Sequence, residues 1–162
     1  MININYSHQD IFILIENKIY IEVKSVDANK TKNPINYLNL QLDTGAFITL
    51  INKFTAEEHD YKIIKPKSCG INGFSQQGLI CDLRTIPYSI FCEFIIKDFI
   101  IATPCSNDVN VTEVLGMNLL ENFNFGFDFS DNKIFLSKRL NFISGLPKYK
   151  IGEINKVDES NK

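Results

Sequence analysis

The sequence has little of what assigns a chain to a membrane, a nucleic acid, a metal or a secretory route. Its 17 Lys and Arg against 19 Asp and Glu leave a formal charge of −2. No basic surplus is therefore available to neutralise phosphates, and no polybasic run concentrates what there is, so no nucleic-acid partner is expected. No stretch approaches the roughly 20 apolar residues of a membrane-spanning helix, so no membrane partner is expected either. The opening segment Met1 to Asp10 contains neither Lys nor Arg, and the apolar run Ile11 to Ile15 is too short for a signal-peptide core. A soluble, cytoplasmic protein is the expectation.

Histidine is scarce. His8 and His59 are the only two, far apart and without a Cys or Ser motif nearby, so both are expected at the surface and no Ser-His-Asp or Cys-His assembly is suggested. The four cysteines, Cys69, Cys81, Cys92 and Cys105, include no C-x-x-C pair, which argues against a zinc site and for four reduced, mostly buried thiols. Cys69 and Cys81 are equidistant from Ser75, so a hairpin turning there would set them opposite one another. A cross-strand disulfide between them needs an oxidising setting. No internal repeat is present.

What remains is an ordinary soluble domain by size and composition: 162 residues, 44% hydrophobic and 22% charged, enough for one core and too little for two. Strand-forming residues dominate in Ile11–Ile15, Lys18–Val26, Tyr37–Leu42, Leu79–Ile86, Tyr88–Ile96, Phe99–Thr103 and Phe123–Phe129. Several of these alternate: Ile19, Ile21 and Val23 interleave with polar neighbours, as do Phe123, Phe125, Phe127 and Phe129, the pattern of a strand with one buried face. Turn residues fall at Asp27–Lys30 with Asn33-Pro34, at Lys97-Asp98 and at Ser130–Asn132, the last ahead of Lys133–Leu136. Gly116–Phe123 is the best helix, with Asn118 and Glu121 on one face and Met117, Leu120 and Phe123 on another; Ala56–His59 offers a further short turn. The chain divides into a domain over residues 1–142, with its core in 18–136, and a polar tail over 143–162, broken at Gly145 and Pro147 and expected to be flexible. The fold class read from this is mainly all-β with one short C-terminal helix.

Three segments stand out together: Leu42-Asp43-Thr44-Gly45-Ala46 closing a strand, Gly70-Ile71-Asn72-Gly73-Phe74 at a hairpin tip, and Val114-Leu115-Gly116-Met117-Asn118-Leu119-Leu120 ahead of the helix. Asp-Thr-Gly alone is a weak signal, because an Asp before a Gly is more often a turn than a catalyst. In this order and at these separations, however, the three resemble the retropepsin-like aspartic peptidases, the single-lobed relatives of pepsin that include retroviral, bacterial and cellular members. The resemblance spans roughly Lys18 to Leu136.

That resemblance implies a closed retropepsin-like β-barrel and an aspartic endopeptidase. It implies a homodimer in which Asp43 faces its symmetry mate, with a peptide or protein as substrate and no cofactor or metal. Two carboxylates so close share one proton; the ionised one activates a water and the protonated one polarises the scissile carbonyl. Thr44 would lock the two loops across the axis, Gly45 would leave room for substrate or take a positive φ, and Ala46 would keep the site uncrowded. Gly70, Ile71, Asn72, Gly73 and Phe74 resemble the flap that closes over bound peptide, although an ordinary surface hairpin fits those glycines as well. Val114, Leu115 and Gly116 would support the aspartate loop from beneath, where core packing and function amount to one claim.

In one respect the chain departs from retroviral members, which commonly carry an Asp–Arg pair where this sequence has Phe47 and Met117. An apolar contact in place of the pair avoids a lone buried charge and moves the likeness toward bacterial and cellular members. Phe47, Ile48, Ile71 and Phe74 suggest hydrophobic residues flanking the cut. Two other readings stay open at this stage: a catalytically weak or inactive dimerisation or peptide-binding module of the same fold, and an adaptor using Tyr88–Ile101 as an exposed apolar surface. Terminal strands often build the dimer interface in this family, which gives Ile11–Ile15 a candidate role.

Overall fold

Alternating and β-branched segments form strands wherever a neighbour can complete their hydrogen bonds, and here they do so in two sheets. The computed structural model describes residues 6–27, 30, 32, 34–71, 78–138 and 154–156, the last by backbone alone. Its strands are β1 (His8–Ile11), β2 (Ile13–Ile15), β3 (Lys18–Val26), β4 (Ile35–Leu42), β5 (Lys62–Ile71), β6 (Leu79–Phe91), β7 (Phe94–Pro104), β8 (Val114–Leu115), β9 (Phe123–Asp128), β10 (Lys133–Lys138) and β11 (Ile154–Lys156). The helices are α1 (Lys53–Glu58) and α2 (Met117–Leu120).

The small sheet runs β1-β10-β9; the large one runs β11-β7-β6-β3-β4-β8, with β2 added to β3 and β5 to β6. The β4–β8 pair is parallel, Gln41 opposite Val114 and Leu42 opposite Leu115. Leu50 bridges both Ala102 of β7 and Val114 of β8, so the path β7-β6-β3-β4-β8 returns on itself. The chain is an all-β protein carrying two short helices.

Several expectations are corrected. Tyr88–Ile96 is not one strand and Lys97-Asp98 is not a turn: β6 runs on through Pro87 to Phe91, and β7 passes through Lys97 and Asp98. The reversal is a two-residue loop, Cys92-Glu93, with both residues at positive φ (46° and 73°). Such loops ordinarily announce themselves as Asn-Gly or Asp-Gly, so composition concealed this one. Pro87 falls between the register pairs Ile86–Phe99 and Tyr88–Lys97, opposite Asp98 at φ 50°, where the ladder loses a donor. Phe91, Phe94, Ile96, Phe99 and Ile101 are buried, although Tyr88 stays exposed, so most apolar side chains of Tyr88–Ile101 belong to the core and not to an adaptor surface.

The Gly116–Phe123 helix shortens to the single turn of α2, because Phe123 opens β9, and Asn118 is buried. The single C-terminal helix of the expectation is joined by α1, longer than the Ala56–His59 turn. Asn52 precedes α1 without capping it; its amide instead bonds Val111, donating to the carbonyl at 2.9 Å and accepting from the N–H at 2.8 Å. β5 escaped detection because its Lys-rich, Pro-containing sequence is mostly exposed. Ile11–Ile15 splits at Phe12, which is buried, while Ile11, Ile13, Leu14 and Ile15 remain exposed. His8 is not at the surface: pairing of β1 with β10 buries it, its ring 4.2 Å from that of Phe94 and its Nδ1 sharing a hydrogen bond with Ser7 Oγ at 2.6 Å.

The main core gathers Phe12, Val23, Leu40, Phe91, Phe99 and Leu119 among others. A second, smaller cluster containing Ile48, Leu50, Cys69, Cys81, Leu83 and Val114 lies apart from it. Among the described residues no helix is long and apolar enough to cross a membrane.

Candidate active site

Asp43 stands one residue beyond the end of β4, where β8 fixes the backbone: the Asp43 N–H donates to Leu115 O at 3.1 Å. The chain turns at once. Asp43 Oδ1 accepts the Gly45 N–H at 2.9 Å and Asp43 O accepts the Ala46 N–H at 3.2 Å, a local turn of the kind short acidic side chains favour. Asp43 keeps partial exposure, while Thr44 and Gly45 are exposed. Gly45 is not among the residues of positive φ. Space is a mild constraint: a Cβ there would lie 3.2 Å from Asp43 Oδ1, a contact relieved when the carboxylate shifts by a few tenths of an ångström.

Beneath this loop, the Ile48–Thr49 backbone passes against Gly116 so closely that a Cβ on Gly116 would meet Ile48 C at 2.4 Å, Ile48 O at 2.6 Å and Thr49 N at 2.8 Å. Gly116 is extended, φ −96° and ψ 178°, so close approach and not backbone conformation requires the glycine. The approach is held by hydrogen bonds. The Met117 and Asn118 N–H groups donate to Ala46 O and Phe47 O at 2.7 and 3.1 Å. The Gly116 N–H donates to Thr49 Oγ1 at 3.0 Å, and that hydroxyl in turn donates to Asn118 Oδ1 at 2.9 Å. Asn118 Oδ1 also accepts the Thr49 N–H at 2.8 Å, and Nδ2 donates to Ile100 O at 2.8 Å.

Thr49 and Asn118 are thus buried positioning residues that sequence reasoning did not single out. The one signal was a carboxamide inside the apolar run Leu115–Leu120, which the helical reading set on one face with Glu121. Phe47 lines the cleft described next, and Met117 packs on the main core.

A cleft of about 470 Å³ opens over the loop, lined by Asp43, Gly45, Ala46, Phe47, Ile48, Leu50, Gly70, Ile71 and Val114. It brings together residues from all three sequence segments, with Asp43 the one carboxylate among those lining residues. Leu115 sits beneath in the core. Asn72, Gly73 and Phe74 lie outside the described residues. A Cβ placed on Gly70 would have no atom within 4 Å, so packing does not demand glycine there; Gly78, at φ 74°, does need it. Among the described residues no three His, Cys, Asp or Glu side chains group as a metal-ligand set.

Two polar anchors fasten the surroundings. Arg84 is buried; its Nε donates to Thr103 Oγ1 at 3.0 Å and its Nη1 to Tyr61 O at 2.8 Å, with Glu57 at 3.6 Å. Tyr61 and Ser25 share a buried hydroxyl–hydroxyl bond, and burial pushes the Tyr61 phenol up to about 12, against a smaller lowering by Ser25.

With that geometry in view, one solved structure is informative: a retropepsin-like aspartic protease from Rickettsia conorii matches with a TM-score of 0.53 at 19% identity, covering 84% of this chain and 96% of that one. What the two share is the fold. No protein-family model matches the sequence, and comparison with curated proteins finds no relative.

Proposed function

We propose that the chain is an aspartic endopeptidase whose catalytic pair is Asp43 from each of two identical subunits. The observation that carries this is the cleft, where Asp43 is the sole carboxylate among the described lining residues, which come from three segments far apart in sequence. One carboxylate per subunit is half of the acid–base machinery for peptide hydrolysis, so the second comes from a symmetry mate. In the dimer, mutual repulsion leaves one proton shared by the pair. The ionised carboxylate removes a proton from water as it attacks, and the protonated one polarises the carbonyl and later delivers its proton to the leaving nitrogen.

The substrate of this reading is an extended peptide with apolar residues against Phe47, Ile48 and Ile71, joined by backbone hydrogen bonds to the β5–β6 hairpin. In this reading Thr44, exposed beside Asp43, meets its counterpart across the axis. The apolar side chains of Ile11, Ile13 and Ile15, exposed on β1 and β2, are a candidate part of the dimer surface.

The test is cleavage of a mixed peptide library by the wild type and by Asp43→Asn, from acidic to neutral pH and over a range of protein concentration. Cleavage is expected from the wild type alone, with specific activity rising with concentration. Equal cleavage by both proteins, or none by either, rejects the reading.

A further inference from the structure

The β5–β6 hairpin that walls the cleft carries two cysteines facing one another. Cys69 and Cys81 are direct cross-strand partners, followed toward the tip by the pairs Gly70–Ile80 and Ile71–Leu79. Directly opposed residues project to the same face of a sheet, and both thiols enter the small core cluster with Ile48, Leu50 and Val114, all three of which also line the cleft. Both are free thiols. Opposed Cβ atoms in antiparallel strands stand about 4.5–5.5 Å apart and a disulfide requires about 3.5–4.5 Å, so closure asks for a shift on the order of an ångström. Gly70, with open space around it, and the register shift between Lys65 and Cys69 are places where the strand can yield.

We propose that Cys69 and Cys81 form a redox-sensitive clamp at the base of the hairpin, in which oxidation to a disulfide ties the two strands beside the cleft and restrains the hairpin's opening. The oxidant is a small-molecule disulfide. One cysteine thiolate attacks it, forming a mixed disulfide and releasing one small thiol; the second cysteine thiolate then attacks the protein sulfur of that mixed disulfide and releases the other. Two protein thiols are oxidised by two electrons, and one external disulfide is reduced to two thiols.

Burial sets the resting state. It holds the Cys69 thiol above its ordinary value and, with the neighbouring Cys69, Cys105 and Asp82, pushes Cys81 up to about 12, so thiolate is scarce and the pair stays reduced until the strands part. Cys105 is on the opposite face, its Sγ donating to Asp82 Oδ1 at 3.3 Å, and takes no part. The effect on turnover rests on the peptidase reading above; the clamp itself does not.

The experiment incubates the full chain with oxidised glutathione, alkylates the remaining thiols and digests with trypsin, which releases Ser68–Arg84 as one peptide holding both cysteines. Expected is a Ser68–Arg84 peptide two hydrogens lighter and unalkylated, in the wild type and in a Cys92→Ser, Cys105→Ser variant that retains only this pair. Amide exchange at Gly70, Ile71, Leu79 and Ile80 should slow on oxidation and recover with dithiothreitol, and peptide cleavage should fall and recover in parallel. A glutathione adduct on the peptide, two alkylated thiols, or a disulfide that leaves those amides unchanged overturns the clamp. A disulfide with slowed exchange in a protein whose reduced form cleaves no peptide rejects the peptidase reading and leaves the clamp standing.

Discussion

Gly116→Ala should be among the most damaging single-methyl changes in this protein. The added carbon would stand 2.4 Å from Ile48 C, 2.6 Å from Ile48 O and 2.8 Å from Thr49 N, whereas favourable carbon contacts lie at about 3.5–4.0 Å. All three obstacles are backbone, so no rotamer change relieves them; the aspartate loop and α2 must separate by on the order of an ångström. Overpacking of this kind costs about 1–3 kcal/mol. Separation also stretches the Gly116–Thr49, Met117–Ala46 and Asn118–Phe47 hydrogen bonds, and a buried polar group left unpaired adds about 1–3 kcal/mol. The total, about 2–6 kcal/mol, is a large part of the roughly 5–15 kcal/mol that holds a domain folded. Urea denaturation at fixed protein concentration measures it, and a thermal scan should show a drop on the order of 10 °C. Gly70→Ala is the control, since nothing lies within 4 Å of its Cβ position; it should change stability by no more than about 0.5 kcal/mol. A Gly116→Ala protein as stable as Gly70→Ala would refute the reasoning.

Asn118→Ala removes the acceptor of both Thr49 donors and the donor to Ile100 O, for an expected loss of about 2–4 kcal/mol by urea denaturation. Arg84→Met should be far more costly than Glu57→Gln: Arg84 is buried with two hydrogen bonds, whereas Glu57 is half exposed at 3.6 Å and such a pair contributes less than about 1 kcal/mol. Equal effects in denaturant would contradict this. Tyr61 provides an alkaline test. Its folded-state value of about 12 exceeds the ordinary value of 10.0, so the unfolded chain gives up its proton first and stability falls as pH rises. The contribution is whole below about pH 10 and is lost toward about pH 12, at most about 3 kcal/mol. Wild type should therefore lose more stability than Tyr61→Phe across that window, measured by denaturation at each pH.

Much of the β architecture was readable locally. Lys18–Val26 is β3 residue for residue, because Ile19, Ile21 and Val23 alternate with their neighbours and a sheet with one buried face has the same period. The symmetric spacing of Cys69 and Cys81 about Ser75 was enough to set them opposite one another. The reversal at Cys92-Glu93 was not readable, since neither residue is a usual left-handed turn former, and β5 was masked by lysines that suit an exposed strand but carry no apolar rhythm. His8 looked superficial because its burial comes from β10, more than a hundred positions away.

The sequence by itself determined which segments could be strands and which short motifs accompany one another, for these follow from side-chain size, polarity and order along the chain. Only the tertiary structure decided what those motifs do to each other. The parallel step of β4 against β8 lays Asp43 over Leu115, and the passage of Ile48 past Gly116 excludes any larger residue. The Thr49–Asn118 bonds then hold the two loops together under the cleft. Each is a contact between residues some 70 positions apart in the chain, and no local pattern encodes a distance that the fold alone creates.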